Sequence, residues 1–208
     1  FYRTQAVFFC IKPPSHPFHQ MREKIAIFFK KGYSISWVLL LAFLIRLLLP
    51  LLSFILTKEL AIFYGGDTAS YLKPATELVA SGRFTSEGFP EIFRAPGYSL
   101  MLVPGILLNQ IEWVTVALQI ALSCWTVYLV FKIALLVFEE NNKIAVTCAF
   151  LYAIEPLSII YPGKLLTETA FTSLLFGFVY CFLKYLNHQA FIWLLVSSIL
   201  LSVSTYIR

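Results

Sequence analysis

Aspartate is nearly absent: the 208 residues contain one, Asp67. Charge of either sign is scarce, at 13% Asp, Glu, Lys and Arg, about half the ~25% of soluble domains. With 59% hydrophobic residues, a water-soluble fold of this size has too little polar surface to cover itself, so the chain reads as an integral membrane protein. Cysteine is sparse and scattered. Cys10, Cys124, Cys148 and Cys181 lie in apolar stretches with no C-x-x-C, which argues against a disulfide framework or a cysteine metal site. They read as small buried hydrophobes. There is no Gly-rich phosphate loop and no H-E-x-x-H, so nucleotide donors and metalloprotease chemistry lack support. The net charge of +5 comes from Lys and Arg beside apolar segments, where they set topology or meet anionic headgroups. Nucleic acid is not implied. No repeat or low-complexity segment is visible.

What the chain has in abundance is apolar runs. Residues 1–35 precede the first of them and carry Arg3, Lys12, Arg22, Lys24, Lys30 and Lys31 against Glu23, which marks a cytoplasmic basic segment by the positive-inside rule. Within it, MREKIAIFFKK resembles an interfacial helix. His16 and His19 fit a plain loop better than a metal site, since two prolines flank them and no Cys or acid accompanies them. Spanning runs are expected at Ser36–Leu56, Val114–Val137, Ile144–Ile160, Leu165–Leu186 and Phe191–Ile207, about five in all. The third is interrupted at Glu155-Pro156, a break tolerated only where its backbone lines protein or water. Arg46 lies mid-run in the first, where a charge costs ~2.5–3.5 kcal/mol on insertion scales. It reads either as a snorkelling or acid-paired side chain or as a cation lining a cavity. The chain opens on Phe1 and stops at Arg208 directly after an apolar run, as expected of a piece of a longer protein.

The long polar stretch is the loop 57–112. It carries Lys58, Lys73, Arg83 and Arg94 against Glu59, Asp67, Glu77, Glu87, Glu91 and Glu112, the opposite bias to residues 1–35, and is therefore expected on the extracytoplasmic side. Leu72, Ala75, Leu78 and Val79 recur at helical spacing, with Asp67 or Thr68 as N-cap and Gly82 as stop. Pro74 predicts a kink or a fresh start there. A second helix is expected after a Pro96-Gly97 turn. Both are read as interfacial helices, giving an all-α, polytopic membrane fold with residues 36–208 as its transmembrane domain.

The alternating topology collects Asp67, Arg83, Arg94, Glu155, Lys164, Glu168 and Arg208 at one membrane face. Guanidinium groups bind phosphate oxygens bidentately, so cations at that depth suit a phosphate ester held by a lipid tail. A carboxylate among them can take a proton from an acceptor hydroxyl as a sugar leaves its phosphate, with charge stabilisation for an oxocarbenium-like centre. All three histidines fall on the other side, against Ser-His-Asp catalysis. Each residue has a plainer role too. Asp67 fits a helix N-cap, and Arg94 and Lys164 fit interfacial anchors. Tyr71 and Tyr98 fit an aromatic belt or packing. Glu168 suits a helix dipole, Glu155 the cap of the break, and Arg208 a helix end.

A first apolar run, then Gly66-Asp67-x-x-x-Tyr71, a short helix, Gly82-x-Phe84 and Arg94-x-Pro96-Gly97-Tyr98, resembles the N-terminal part of GT-C fold glycosyltransferases. The resemblance is to the branch of protein O-mannosyltransferases, lipid A aminoarabinose transferases and bacterial transferases that use polyprenyl-phosphate sugars. It is densest over residues 36–108 and extends loosely to Arg208 through the LLTETAF stretch. It implies transfer, with inversion, of a sugar from a polyprenyl phosphate to an extracytoplasmic acceptor: a glycolipid, polysaccharide or protein. Asp67 matches the loop acid that acts as base or positions the acceptor, and Arg94 the basic residue opening the Pro-Gly-Tyr motif. Arg94 with Arg83 or Arg208 is expected to hold the donor phosphate. Tyr71, Tyr98, Glu168 and Lys164 are further substrate-contact candidates. Thr68 stands where many members have a second acid, which leaves a divalent cation open and no cofactor certain. Ala95 and Ser99 replace frequent prolines and touch only turn rigidity. Two rival readings remain: a transporter or flippase for a lipid-linked anion, with Arg46 and the broken segment lining its path, and a non-catalytic membrane scaffold.

Overall fold

The computed structural model describes residues 34–208. The expected interfacial helix MREKIAIFFKK, His16, His19 and the basic residues before them lie outside the described residues. The fold is all-α apart from one two-residue-stranded ribbon. In chain order the helices are α1 (Ile35–Thr57), α2 (Thr68–Ser81), α3 (Pro96–Leu107), α4 (Ile111–Val137), α5 (Asn142–Ala153), α6 (Pro156–Ile160), α7 (Glu168–His188) and α8 (Phe191–Ile207). Single 3-10 turns lie at Leu60–Phe63 and Tyr161–Gly163.

Local chemistry sets the helix ends. Ser34 caps α1 by accepting from the Ser36 N–H. Asn141 caps α5 through the Ile144 N–H. Gly82 ends α2 in the left-handed region (φ 71°). The break after α5 is built by its own two residues. Pro156 occupies the first turn of α6, where its missing N–H costs nothing. Both carboxylate oxygens of Glu155 accept from the N–H groups of Leu157 and Ser158. The two pieces meet at 64°.

Three helices, α1, α4 and α7, are long and apolar enough to cross a bilayer, and the bent α5–α6 pair makes up to four. α8 has 17 residues, about 26 Å at 1.5 Å per residue, short of a ~30 Å hydrocarbon core. The expected five are thus three long helices, one bent pair and one short one. α1 leaves a row of leucines open on one side, Leu40, Leu44, Leu47 and Leu48 among them, as a lipid-facing surface does.

Two apolar clusters sit at opposite ends. Val38 and Ala42 of α1, Val127, Phe131 and Ala134 of α4, and Ala145, Val146, Ala149 and Ala153 of α5 form one. Phe63, Tyr71, Tyr98, Leu102, Val116, Ile120, Leu165, Ala170 and Ile207 form the other. The second takes the start of α4 and α7 and the end of α8, so the chain alternates direction through the bundle. The first loop, the α6–α7 connection and residue 208 share one end.

Arg46 lies between the clusters at 0% exposure. Its Nε donates to Ser123 Oγ (2.6 Å), Nη1 to the Ala42 and Ala153 carbonyls (3.3 and 2.9 Å), and Nη2 to Ser158 Oγ (2.8 Å). It neither snorkels nor meets a carboxylate. Four of its five N–H donors are taken up by α1, α4 and the two sides of the break.

Three local expectations differ from the structure. α2 runs through Pro74 without a break, and the proline side chain is fully buried. The fourth run begins at Glu168, because the Leu165 N–H goes to the Phe63 carbonyl (2.7 Å) and its carbonyl to Thr68 Oγ1 (2.8 Å). Residues bonded sideways cannot enter a helix ladder. The Pro96-Gly97 pair is the first turn of α3, where Gly97 serves close packing: a Cβ there would lie 2.5 Å from the Tyr206 carbonyl oxygen of α8. Gly97→Ala is therefore expected to destabilise by ~1–3 kcal/mol, read as a lowered unfolding temperature in detergent. Gly66→Ala, where a Cβ meets nothing within 4 Å, is expected to stay within ~0.5 kcal/mol.

Candidate active site at the loop end of the bundle

Asp67 stands at the residue before α2, yet its carboxylate caps no helix N–H. Oδ1 instead accepts from Arg94 Nη2 at 2.9 Å. The guanidinium is held from two further directions. Its Nη1 donates to the Tyr71 hydroxyl (3.2 Å), and its Cζ lies 4.9 Å from the Tyr71 ring centroid, a cation–π distance. Tyr71 in turn packs edge-on against Tyr98 (5.2 Å), and its carbonyl accepts from Ser99 Oγ (2.9 Å). The Tyr98 hydroxyl accepts from Gln119 Nε2 (3.1 Å). One continuous row thus runs from an exposed carboxylate to the interior of α4. Exposure falls along it, from 63% for the Asp67 side chain to 29% for Arg94 and 0% for Tyr98. Burial pushes the Tyr98 hydroxyl above its ordinary pKa, and the charge of Glu168 adds to it.

The GDxxxY spacing explains the arrangement. Asp67 and Tyr71, four residues apart, fall on one side of the first turn of α2, and Arg94 reaches both from the loop before α3. Thr68 is 0% exposed. Its hydroxyl joins the Gly65 N–H to the Leu165 carbonyl (2.8 Å each), so this position holds the loop onto the start of α7.

Lys164, Glu168 and Arg208 come to the same end. The Lys164 ammonium donates to the Ile62 carbonyl and closes an apolar groove of about 420 Å³ lined by Leu49, Pro50, Leu56, Ile62 and Phe63. Arg208 lies over the Phe171 ring at 5.2 Å. Arg83 does not join them. It follows Gly82, so the length of α2, on the order of 20 Å, separates it from Asp67. A second groove, of about 410 Å³, runs past Arg94 along Ser70, Lys73, Ser86, Glu91 and Phe93.

The far wall of that groove is a hairpin absent from the sequence reading. Thr85–Ser86 pairs with Phe89–Pro90 through Glu87 and Gly88, both at positive φ (56° and 83°), the backbone of a type I′ turn. Glu77 of α2 holds it, accepting from Thr85 Oγ1 and the Glu87 N–H. The ion pair Lys73–Glu87 (2.6 Å) closes it, raising the lysine pKa and lowering that of the glutamate. Sequence reasoning also missed Thr115, Gln119, Ser123 and Thr126. They are four polar residues buried on one face of the otherwise apolar α4, at spacings of four, four and three. That stripe was visible in the sequence and points to a polar seam inside the bundle.

Among the described residues no group of three or more His, Cys, Asp or Glu stands ready to hold a metal. Comparison with protein-family models, curated proteins and solved structures returns no match.

Near the site, Tyr64 donates to Glu112 Oε1 (2.7 Å). Burial first, and then that carboxylate, push its pKa up to about 12. A phenol held protonated in the folded state stabilises fully below its unfolded pKa of ~10, and the benefit is lost as pH rises from there through about 12. Glu112→Gln is expected to flatten the alkaline loss of stability across that window, read as unfolding temperature against pH.

Proposed function

We propose that the chain is the N-terminal part of a GT-C-like glycosyltransferase, moving a sugar from a polyprenyl phosphate to an extracytoplasmic acceptor. In this reading α1, α4, the α5–α6 pair, α7 and α8 cross the membrane, and the loop end faces outward. The 17 residues of α8 lie at the low end of the ~17–25 range for a span. The basic bias of residues 1–35 against the acidic bias of the first loop supports the orientation. The observation that carries the reading is the 2.9 Å Asp67–Arg94 pair at the mouth of a groove, built from two motifs far apart in sequence.

The chemistry divides between two sides of the sugar. Asp67 takes the proton of the acceptor hydroxyl as its oxygen bonds the anomeric carbon. The carbon–oxygen bond to phosphate breaks, and polyprenyl phosphate leaves with the electron pair. Inversion puts the attacking oxygen and the departing phosphate on opposite faces of that carbon. A guanidinium bonded to the base therefore stands on the acceptor's side. In this arrangement Arg94 orients Asp67, and another cation meets the phosphate. Lys164 suits that role, since an apolar groove able to take a lipid chain runs directly to its ammonium. Arg208 is the second candidate. The groove past Arg94 suits the acceptor.

Asp67→Asn in the full-length protein is expected to lower kcat by ~10²–10⁴-fold at unchanged membrane levels. Wild-type turnover would remove the assigned base. Lys164→Met is expected to raise KM for the polyprenyl-phosphate donor more than it lowers kcat. Arg83→Ala is expected to change neither.

The rival readings draw less from the structure. Arg46 is buried and hydrogen-bonded to serine hydroxyls and helix carbonyls, so of the two features behind the transport reading the broken segment is the one that still supports it.

A further inference from the structure

A second polar feature sits at the bend, apart from the Asp67–Arg94 pair. A cavity of about 280 Å³ opens between the α5–α6 break and the start of α7. Some of its wall is already committed. Ser123 Oγ accepts from Arg46 and donates to the Ser158 carbonyl (3.2 Å). Ser158 Oγ accepts from Arg46 and donates back to the Tyr152 and Glu155 carbonyls. Thr126 Oγ1 donates to the Leu122 carbonyl.

Two oxygens in the wall are not committed. Thr169 is 7% exposed, and its Oγ1 has no hydrogen-bond partner. Glu168 Oε2, also buried, has none either. An unsatisfied buried polar atom is costly, more so when charged, and native interiors rarely leave two together. Glu155 lines the same cavity. Its two oxygens each take one helix N–H and keep a further lone pair. Arg46, behind Ser123 and Ser158, gives its donors to hydroxyls and carbonyls and to neither carboxylate. The free carboxylate oxygen is an acceptor, the Thr169 hydroxyl brings two lone pairs beside its one hydrogen, and the atoms facing the cavity from these residues are oxygen. Carboxylate and hydroxyl oxygens select hard cations over the metals that seek imidazole or thiolate.

We propose that this cavity binds a hard metal cation through Glu155, Glu168 and the Thr169 hydroxyl, with water completing its shell. The cation ties the cap of α6 to the first residue of α7 and so fixes the bend. The site is separate from the transfer reaction and is read without any sugar donor.

The test uses the full-length protein in detergent, stripped of salts into choline chloride. Na⁺, K⁺, Mg²⁺ and Ca²⁺ are each titrated to roughly 100 mM, well past the ~10⁻³ M of weak oxygen-ligand calcium sites, at constant ionic strength, with unfolding temperature and heat of binding as readouts. At least one cation is expected to give a saturable rise in unfolding temperature. Glu168→Gln is expected to abolish it, and Thr169→Val to weaken it roughly tenfold or more. Asp67→Asn is expected to leave it unchanged. No saturable response in the wild type, or equal responses in the wild type and Glu168→Gln, overturns the proposal. So does loss of binding in Asp67→Asn alone, which would move the cation to the first loop. Should Glu168→Gln fail to fold, Thr169→Val, which removes one hydroxyl and no charge, decides by the same criterion.

Discussion

A single guanidinium with no carboxylate to meet it holds the architecture together. Arg46 is sealed between two apolar clusters and bonded on every side to serine hydroxyls and helix carbonyls. A cation in a low-dielectric interior is tolerated only where its donors are taken up. Two of the acceptors are the last carbonyl of α5 and the hydroxyl of Ser158 just after the break. These acceptors are in place while the α5–α6 pair is bent, and around the bend lie the capped turn at Glu155, the cavity, Lys164 and the delayed start of α7. A carbonyl left free by the interrupted helix and a hydroxyl beside it satisfy the buried Arg46.

The loop end follows from that geometry. With residues 164–167 free of helix, Leu165 bonds to Phe63 and Thr68, and the first loop is drawn onto the mouth of the bundle. Only then does Asp67 stand beside Arg94, with Lys164 nearby on the Ile62 carbonyl. The site residues come from segments that share little sequence proximity, and they meet because backbone groups that would otherwise sit in a helix ladder were left free to bond across the fold.

Much of this was legible in residue order. The apolar runs located the long helices. Glu155-Pro156 announced the break, because a proline with an acid before it caps more readily than it continues. Gly82 announced the end of α2. The GDxxxY and Arg-x-Pro-Gly-Tyr motifs singled out four residues that do touch one another in a row. What escaped was decided by distant partners. Arg46 looked for an acid in the sequence reading and found hydroxyls, which carry no charge to betray them. Leu165 reads as helix by composition and is held out of the helix by tertiary bonding. The Glu87-Gly88 turn is a weak signal unless Glu77 is already in place to receive it. Arg83 shares the charge of Arg94 but sits one helix length away, a separation that a count of charges in a loop does not reveal.

The contact of Gly97 with the Tyr206 carbonyl bears on how the molecule is put together during synthesis. The short helix that follows Arg94 leans on a helix made after every other described one, with no side chain between the two backbones. While the ribosome is still delivering α7, the first loop has emerged but lacks its backing. The row from Asp67 to Tyr98 therefore gains its last support only when α8 has packed against α3.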